Sequence, residues 1–129
     1  MKNERIGVKM DFQKTVDGIA NELKAVYNGE ILATEEDSEM YGLEVGEPIS
    51  MWDYFLNDDG IYNIDYIVAS DKETLRGVRI MVACGGPNIY INTWENRVEG
   101  FWWGSNAFAW IPSEVADSIT EVFEEVWHC

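Results

Sequence analysis

Four runs rich in β-branched and aromatic residues, at 61–70, 75–84, 88–94 and 98–103, follow one another with only three or four residues between them. Connections this short cannot hold the crossover that parallel strands require, so each run must pair antiparallel with the next. The simplest sheet is a four-stranded antiparallel meander. The turn chemistry agrees: Gly85-Gly86-Pro87 interrupts the second and third runs, and Glu95-Asn96 forms the next tip, where Asn96 tolerates the positive φ required.

Helical signals flank this block. Phe12, Val16, Ile19, Ala20, Leu23 and Tyr27 recur at helical spacing over residues 11–27, and Asn28-Gly29 supplies a left-handed stop. From Glu30 to Glu47 the periodicity dissolves. Pro48 and Ser50, with Asp53 three residues on, then predict a capped short helix through Leu56. Residues 104–110 read as irregular, after which Pro112 and Ser113 begin a last helix whose apolar stripe is Val115, Ile119, Val122, Phe123 and Val126. Two helices with one apolar stripe each suit one face of an antiparallel sheet. The expected fold is therefore a single α+β domain over residues 1–129, with N- and C-terminal helices packed mainly on one face of the meander.

Charge narrows the function. Between Ala25 and Asp71 the chain holds twelve carboxylates and no lysine or arginine, within a net charge of −15. Such a stretch cannot neutralise itself locally, so its field faces water, counter-ions or a basic partner. Affinity for nucleic acid comes mostly from cationic side chains that release counter-ions, so direct nucleic-acid binding is not expected. Hydrophobic residues at 47% argue against disorder despite the charge. Residues 1–10 lack the apolar run of a signal peptide, and no later stretch approaches the ~18 apolar residues of a membrane span, so the expected setting is cytoplasmic with no membrane partner.

Residues suited to catalysis are few. His128, the single histidine, stands near the end of the chain, where fraying opposes the positioning that a general base requires. Cys84 follows Val82 and Ala83 without a cation to stabilise a thiolate and reads as a buried core cysteine, and both it and Cys129 are expected as free thiols. Gly85-Gly86-Pro87-Asn88 leads into a strand rather than a helix and no lysine follows it, which favours a tight turn over a phosphate cradle. With Gly60 as the sixth residue of a calcium loop, Phe55 and Tyr66 would fall where acids belong. No catalytic, cofactor-binding or metal-binding residue is assigned, and no cofactor is expected.

Trp94, Trp102, Trp103 and Trp110 fall within seventeen residues. If Trp102 and Trp103 both lie on a strand they point to opposite faces, and only one serves the helix-covered core. A second packed layer, a protein interface, and a stacking platform for sugar or base all remain open for the other.

The segment from Arg79 through Cys84-Gly85-Gly86-Pro87-Asn88-Ile89 to Thr93, then Val98-Glu99-Gly100-Phe101-Trp102-Trp103-Gly104, then the acidic helix ending Phe123-Glu124-Glu125, resembles a family of small uncharacterised acidic proteins from plasmids, conjugative elements and phages of gut bacteria. Ser50-Met51-Trp52-Asp53-Tyr54-Phe55 fits the same pattern, and the resemblance spans residues 48–127. The chain departs from it in doubling the aromatic before the glycine as Trp102-Trp103. What the resemblance implies is a mobile-element setting, in which small acidic proteins counter host restriction or CRISPR nucleases. It implies no activity and no catalytic residue.

Together these features predict a non-catalytic module that binds a basic protein surface, of the kind that otherwise holds nucleic acid. Duplex DNA carries about one charge per 1.7 Å of axis, and carboxylates at phosphate-like spacing can capture part of an arginine-lined channel. The expected partner-binding residues are Glu35, Glu36, Asp37, Glu39, Glu44, Glu47, Asp58 and Asp59, with Trp102, Trp103 and Trp110 as the apolar anchor. Two alternatives are a small carboxylate- or metal-dependent hydrolase and a structural module that self-associates, as a homo-oligomer, through the open sheet face.

Overall fold

The computed structural model describes residues 2–57 and 60–128. Its elements run α1 (Lys2–Tyr27), α2 (Glu35–Tyr41), α3 (Met51–Leu56), β1 (Asn63–Val68), β2 (Leu75–Ala83), β3 (Asn88–Asn92), β4 (Arg97–Trp102), β5 (Ser105–Trp110) and α4 (Ser113–His128). All neighbours in the sheet are antiparallel and the order is β1-β2-β3-β4-β5. The meander is thus as expected in kind, but it has five strands rather than four.

The extra strand is the segment read as irregular. Trp103 and Gly104 alone connect β4 to β5, and both have positive φ, +53° and +73°. That is the pattern of a type I′ hairpin, whose usual signature is Asn-Gly or Asp-Gly. A tryptophan in the asparagine position hides the turn from sequence inspection. The other turns follow their residues: Asn96 takes φ +55° and Gly85 takes φ +89°.

Helices α1 and α4 lie on one face of the sheet, α1 against β4 and β5, α4 against β2, with α3 against both helices. Phe12, Val16, Ala20 and Leu23 of α1 and Val115, Ile119, Val122 and Phe123 of α4 are buried against Val78, Ile80, Ile89, Ile91 and Val98. Gly100 is needed here, because a Cβ on it would run into the Phe12 ring. Gln13 of α1 also donates through Nε2 to the Phe108 carbonyl at 2.9 Å, satisfying a backbone acceptor of the edge strand β5.

Two further local features differ from expectation. Helix α2 interrupts the stretch whose periodicity had dissolved, because Thr34 and Asp37 form a reciprocal capping box and Gly42 ends it in the left-handed conformation. It buries no residue, so no apolar stripe announces it. Cys84 is an exposed free thiol instead of a core residue, because it falls just past the end of β2, at the start of the turn. Among the described residues, no helix is long and apolar enough to cross a membrane.

Candidate functional site

Six of the eight expected acidic residues lie in or just after α2, which borders α3 across a cavity. Backbone bonds from Ala33 N to the Glu47 carbonyl and from Ile49 N to the Ile31 carbonyl, each 2.8 Å, clamp the two ends of the segment that carries α2. Glu35, Glu36 and Asp37 occupy the first turn of α2, where the helix dipole favours negative charge. Two of the acids have local tasks. Asp37 Oδ2 accepts from Thr34 N at 2.8 Å, and Glu47 Oε1 accepts from Glu44 N at 2.8 Å. Glu35, Glu36, Glu39 and Glu44 are exposed, and none of the six forms an ion pair with a described residue. Asp58 and Asp59 lie outside the described residues.

A shallow cavity of about 180 Å³ separates α2 from α3 and is lined in part by Asp37, Tyr41, Asp53 and Tyr54. Its two carboxylates hold helix caps: Asp37 that of α2, and Asp53 by accepting from Ser50 Oγ at 3.0 Å. Among the described residues no group of three His, Cys, Asp or Glu side chains stands close enough to hold a metal ion.

The opposite face of the sheet carries no helix of the described residues, and its register brings together residues that the sequence scatters. Arg79 pairs with Asn92, Asn92 with Arg97, Tyr90 with Glu99, and Glu99 with Phe108. Glu99 is only 3% exposed. Its Oε2 accepts from Nε of Arg79 at 3.1 Å and forms an ion pair with that residue's Nη2 at 3.1 Å, and its Oε1 accepts from Arg97 Nε at 3.0 Å and Asn92 Nδ2 at 2.8 Å. Aromatic rings cover the arginines: the Arg79 guanidinium carbon lies 3.6 Å from the Tyr90 ring centre, and that of Arg97 lies 4.3 Å from the Phe108 ring centre. A carboxylate removed from water is costly unless paired and hydrogen-bonded on both oxygens, and here it is. Arg79 and Arg97 thus converge on this one side chain.

The tryptophans divide between strand and turn. Trp102 points to the covered face, half-buried with its ring edge-on to Phe12 at 6.3 Å. Trp103, in the turn, is 87% exposed, and Trp110, at the end of β5, is 65% exposed. Left-handed backbone at a side chain with a Cβ costs about 1–2 kcal/mol, and burial of the ring does not offset it at Trp103. Beside Trp103, between the β4–β5 and β2–β3 turns, lies a shallow cleft of about 370 Å³. Phe101, Trp102 and Trp103 form its aromatic part, and Asn88, Ser105 and Asn106 its polar part. The side chains of these last three make no hydrogen bond to a described residue. No family model, curated protein or solved structure matches the chain.

Of the expected partner-binding residues, then, the described acids group around α2, whereas Trp103 stands in the β4–β5 turn and Trp110 at the opposite end of β5. The cluster of Glu99, Arg79, Arg97 and Asn92 was missed by sequence reasoning. A signal was present: Arg97 and Glu99 alternate on β4, and Arg79 takes an outward position on β2, two strands away, where apolar residues would be expected if that face were covered.

Proposed function

We propose that the chain is a non-catalytic binding module that docks onto a basic protein surface, in the cytoplasm, at a site on its partner that otherwise holds nucleic acid. The observation that supports this best is that the exposed acids of the α2 region pair with no described residue, while Arg79 and Arg97 are both drawn to Glu99 on the sheet. A field left unneutralised by folding attracts cations over about a Debye length, ~8 Å at physiological salt, and raises association rates with a basic partner. The exposed rings of Trp103 and Trp110 add the aromatic surface on which interface energies concentrate. The resemblance to mobile-element proteins suggests a restriction or CRISPR nuclease as the class of partner.

The test is capture from host lysate by the wild-type chain and by a Glu35→Gln, Glu36→Gln, Glu39→Gln variant, at low and high salt, with and without competing duplex DNA. Asp37 is left intact because it caps α2. The expected result is a nucleic-acid-binding protein retained at low salt, displaced by DNA, and held at least about tenfold less well by the variant, with the same melting temperature for both chains. A partner retained equally by both chains and indifferent to DNA would refute the proposal.

A further inference from the structure

We propose that the cleft between the β4–β5 and β2–β3 turns takes an extended, proline-containing segment of the partner, flanked by lysine or arginine. This rests on the reading of the molecule as a binder of a basic protein. Trp103 carries the inference: its turn demands a positive φ that glycine or asparagine adopts with less strain, yet the position holds the largest side chain, 87% exposed. Strain and apolar exposure at one residue mark a place where something else covers the ring.

The chemistry of the lining selects the occupant. Asn88, Ser105 and Asn106 offer donors that no described residue engages, beside Phe101 and Trp103. A polyproline II segment presents the complement, with flat pyrrolidine rings and backbone carbonyls that have no internal partner. None of the eight lining residues is ionisable, so the stretch in contact is uncharged. The net charge of −15 places cations on its flanks. An acidic peptide or a nucleotide meets the opposite field, and a neutral sugar gains nothing from it.

The full chain, labelled with ¹⁵N, is titrated with a synthetic peptide holding a Pro-X-X-Pro core between lysines, with the same lysines around a Gly/Ser core, and with cellotetraose. The expected outcome is a saturable shift of the Trp103 indole and of the Asn88 and Asn106 side-chain amides, with the proline peptide bound at least about tenfold tighter than the Gly/Ser one. Trp103→Gly suits the turn and should keep the fold while weakening that binding about tenfold. Equal affinity for the two peptides, shifts confined to α2, or cellotetraose taking the cleft would overturn the inference. The glutamine variant of Glu35, Glu36 and Glu39 separates it from the wider reading. If that variant binds the proline peptide with unchanged affinity and salt dependence while Trp103→Gly does not bind, docking by the acids fails and the cleft stands. Loss in the glutamine variant with no effect of Trp103→Gly sinks the cleft and leaves docking by the acids in place.

Discussion

The covered and uncovered faces of the sheet arise from the same strands, yet they exclude water by opposite means. On the covered face Val78, Ile80, Ile91 and Val98 are buried by two helices, and the fit is mainly one of apolar shape, down to the missing Cβ of Gly100 under Phe12. On the uncovered face no helix of the described residues packs against the strands. There Glu99 is shielded by the side chains that neutralise it, two guanidiniums lying against Tyr90 and Phe108. Arginine suits that role because its planar, weakly hydrated fork bonds a carboxylate edgewise while its face lies on a ring. A sheet can therefore keep one face free for contact without leaving it unspecified, since the charge network fixes which rings point outward.

The contrast can be broken most sharply by deletion on the covered face. Ile91→Ala removes a side chain that is 1% exposed and should cost about 2–5 kcal/mol in urea unfolding. A loss under about 1 kcal/mol would mean that the helices close over the gap and that shape matters less there than the packing indicates. Next in size is Glu99→Gln, which keeps the volume but leaves two arginines without their counter-charge. It should cost about 1.5–3 kcal/mol, a value for charge-assisted hydrogen bonds rather than for an exposed ion pair. If the loss is only a few tenths of a kcal/mol, the network behaves as ordinary surface charge and the uncovered face is not rigidly specified.

The smallest effect belongs to neither face. In the β1–β2 turn the Thr74 hydroxyl, with the backbone N–H groups of Thr74 and Glu73, donates to Asp71 and lowers its pKa from 3.8 to about 2. A depressed carboxylate pKa stabilises the fold above the unfolded-state value and loses that contribution as pH falls through the folded-state value. Wild type and Asp71→Asn should therefore differ by a constant amount in melting temperature above about pH 5, and the gap should close between roughly pH 4 and pH 2. A gap unchanged down to pH 2 would detach the turn from the Asp71 charge.

Much of this was legible beforehand because it is local. The Ser50–Asp53 cap, the Gly29 stop, the left-handed Asn96 and four of the strands follow from residues within a few positions of one another. What escaped notice was either non-periodic or atypical for its place. Helix α2 buries nothing and is announced only by Thr34 and Asp37, and β5 is introduced by a Trp-Gly turn where Asn-Gly is usual. Trp102 and Trp103 were expected to divide between core and surface if both lay on a strand. The turn brings about that division by ending the strand between them.

The amino-acid sequence by itself determined the antiparallel meander, the two amphipathic helices and the one-sided charge, because turn length, side-chain periodicity and net charge need no knowledge of distant contacts. Only the tertiary structure decided that Arg79, Asn92, Arg97 and Glu99 meet, and that Asn88 and Asn106 border the same cleft as Trp103. Pairing register sets those meetings. It is fixed jointly by every turn and by the burial of the opposite face, so no single segment carries the information.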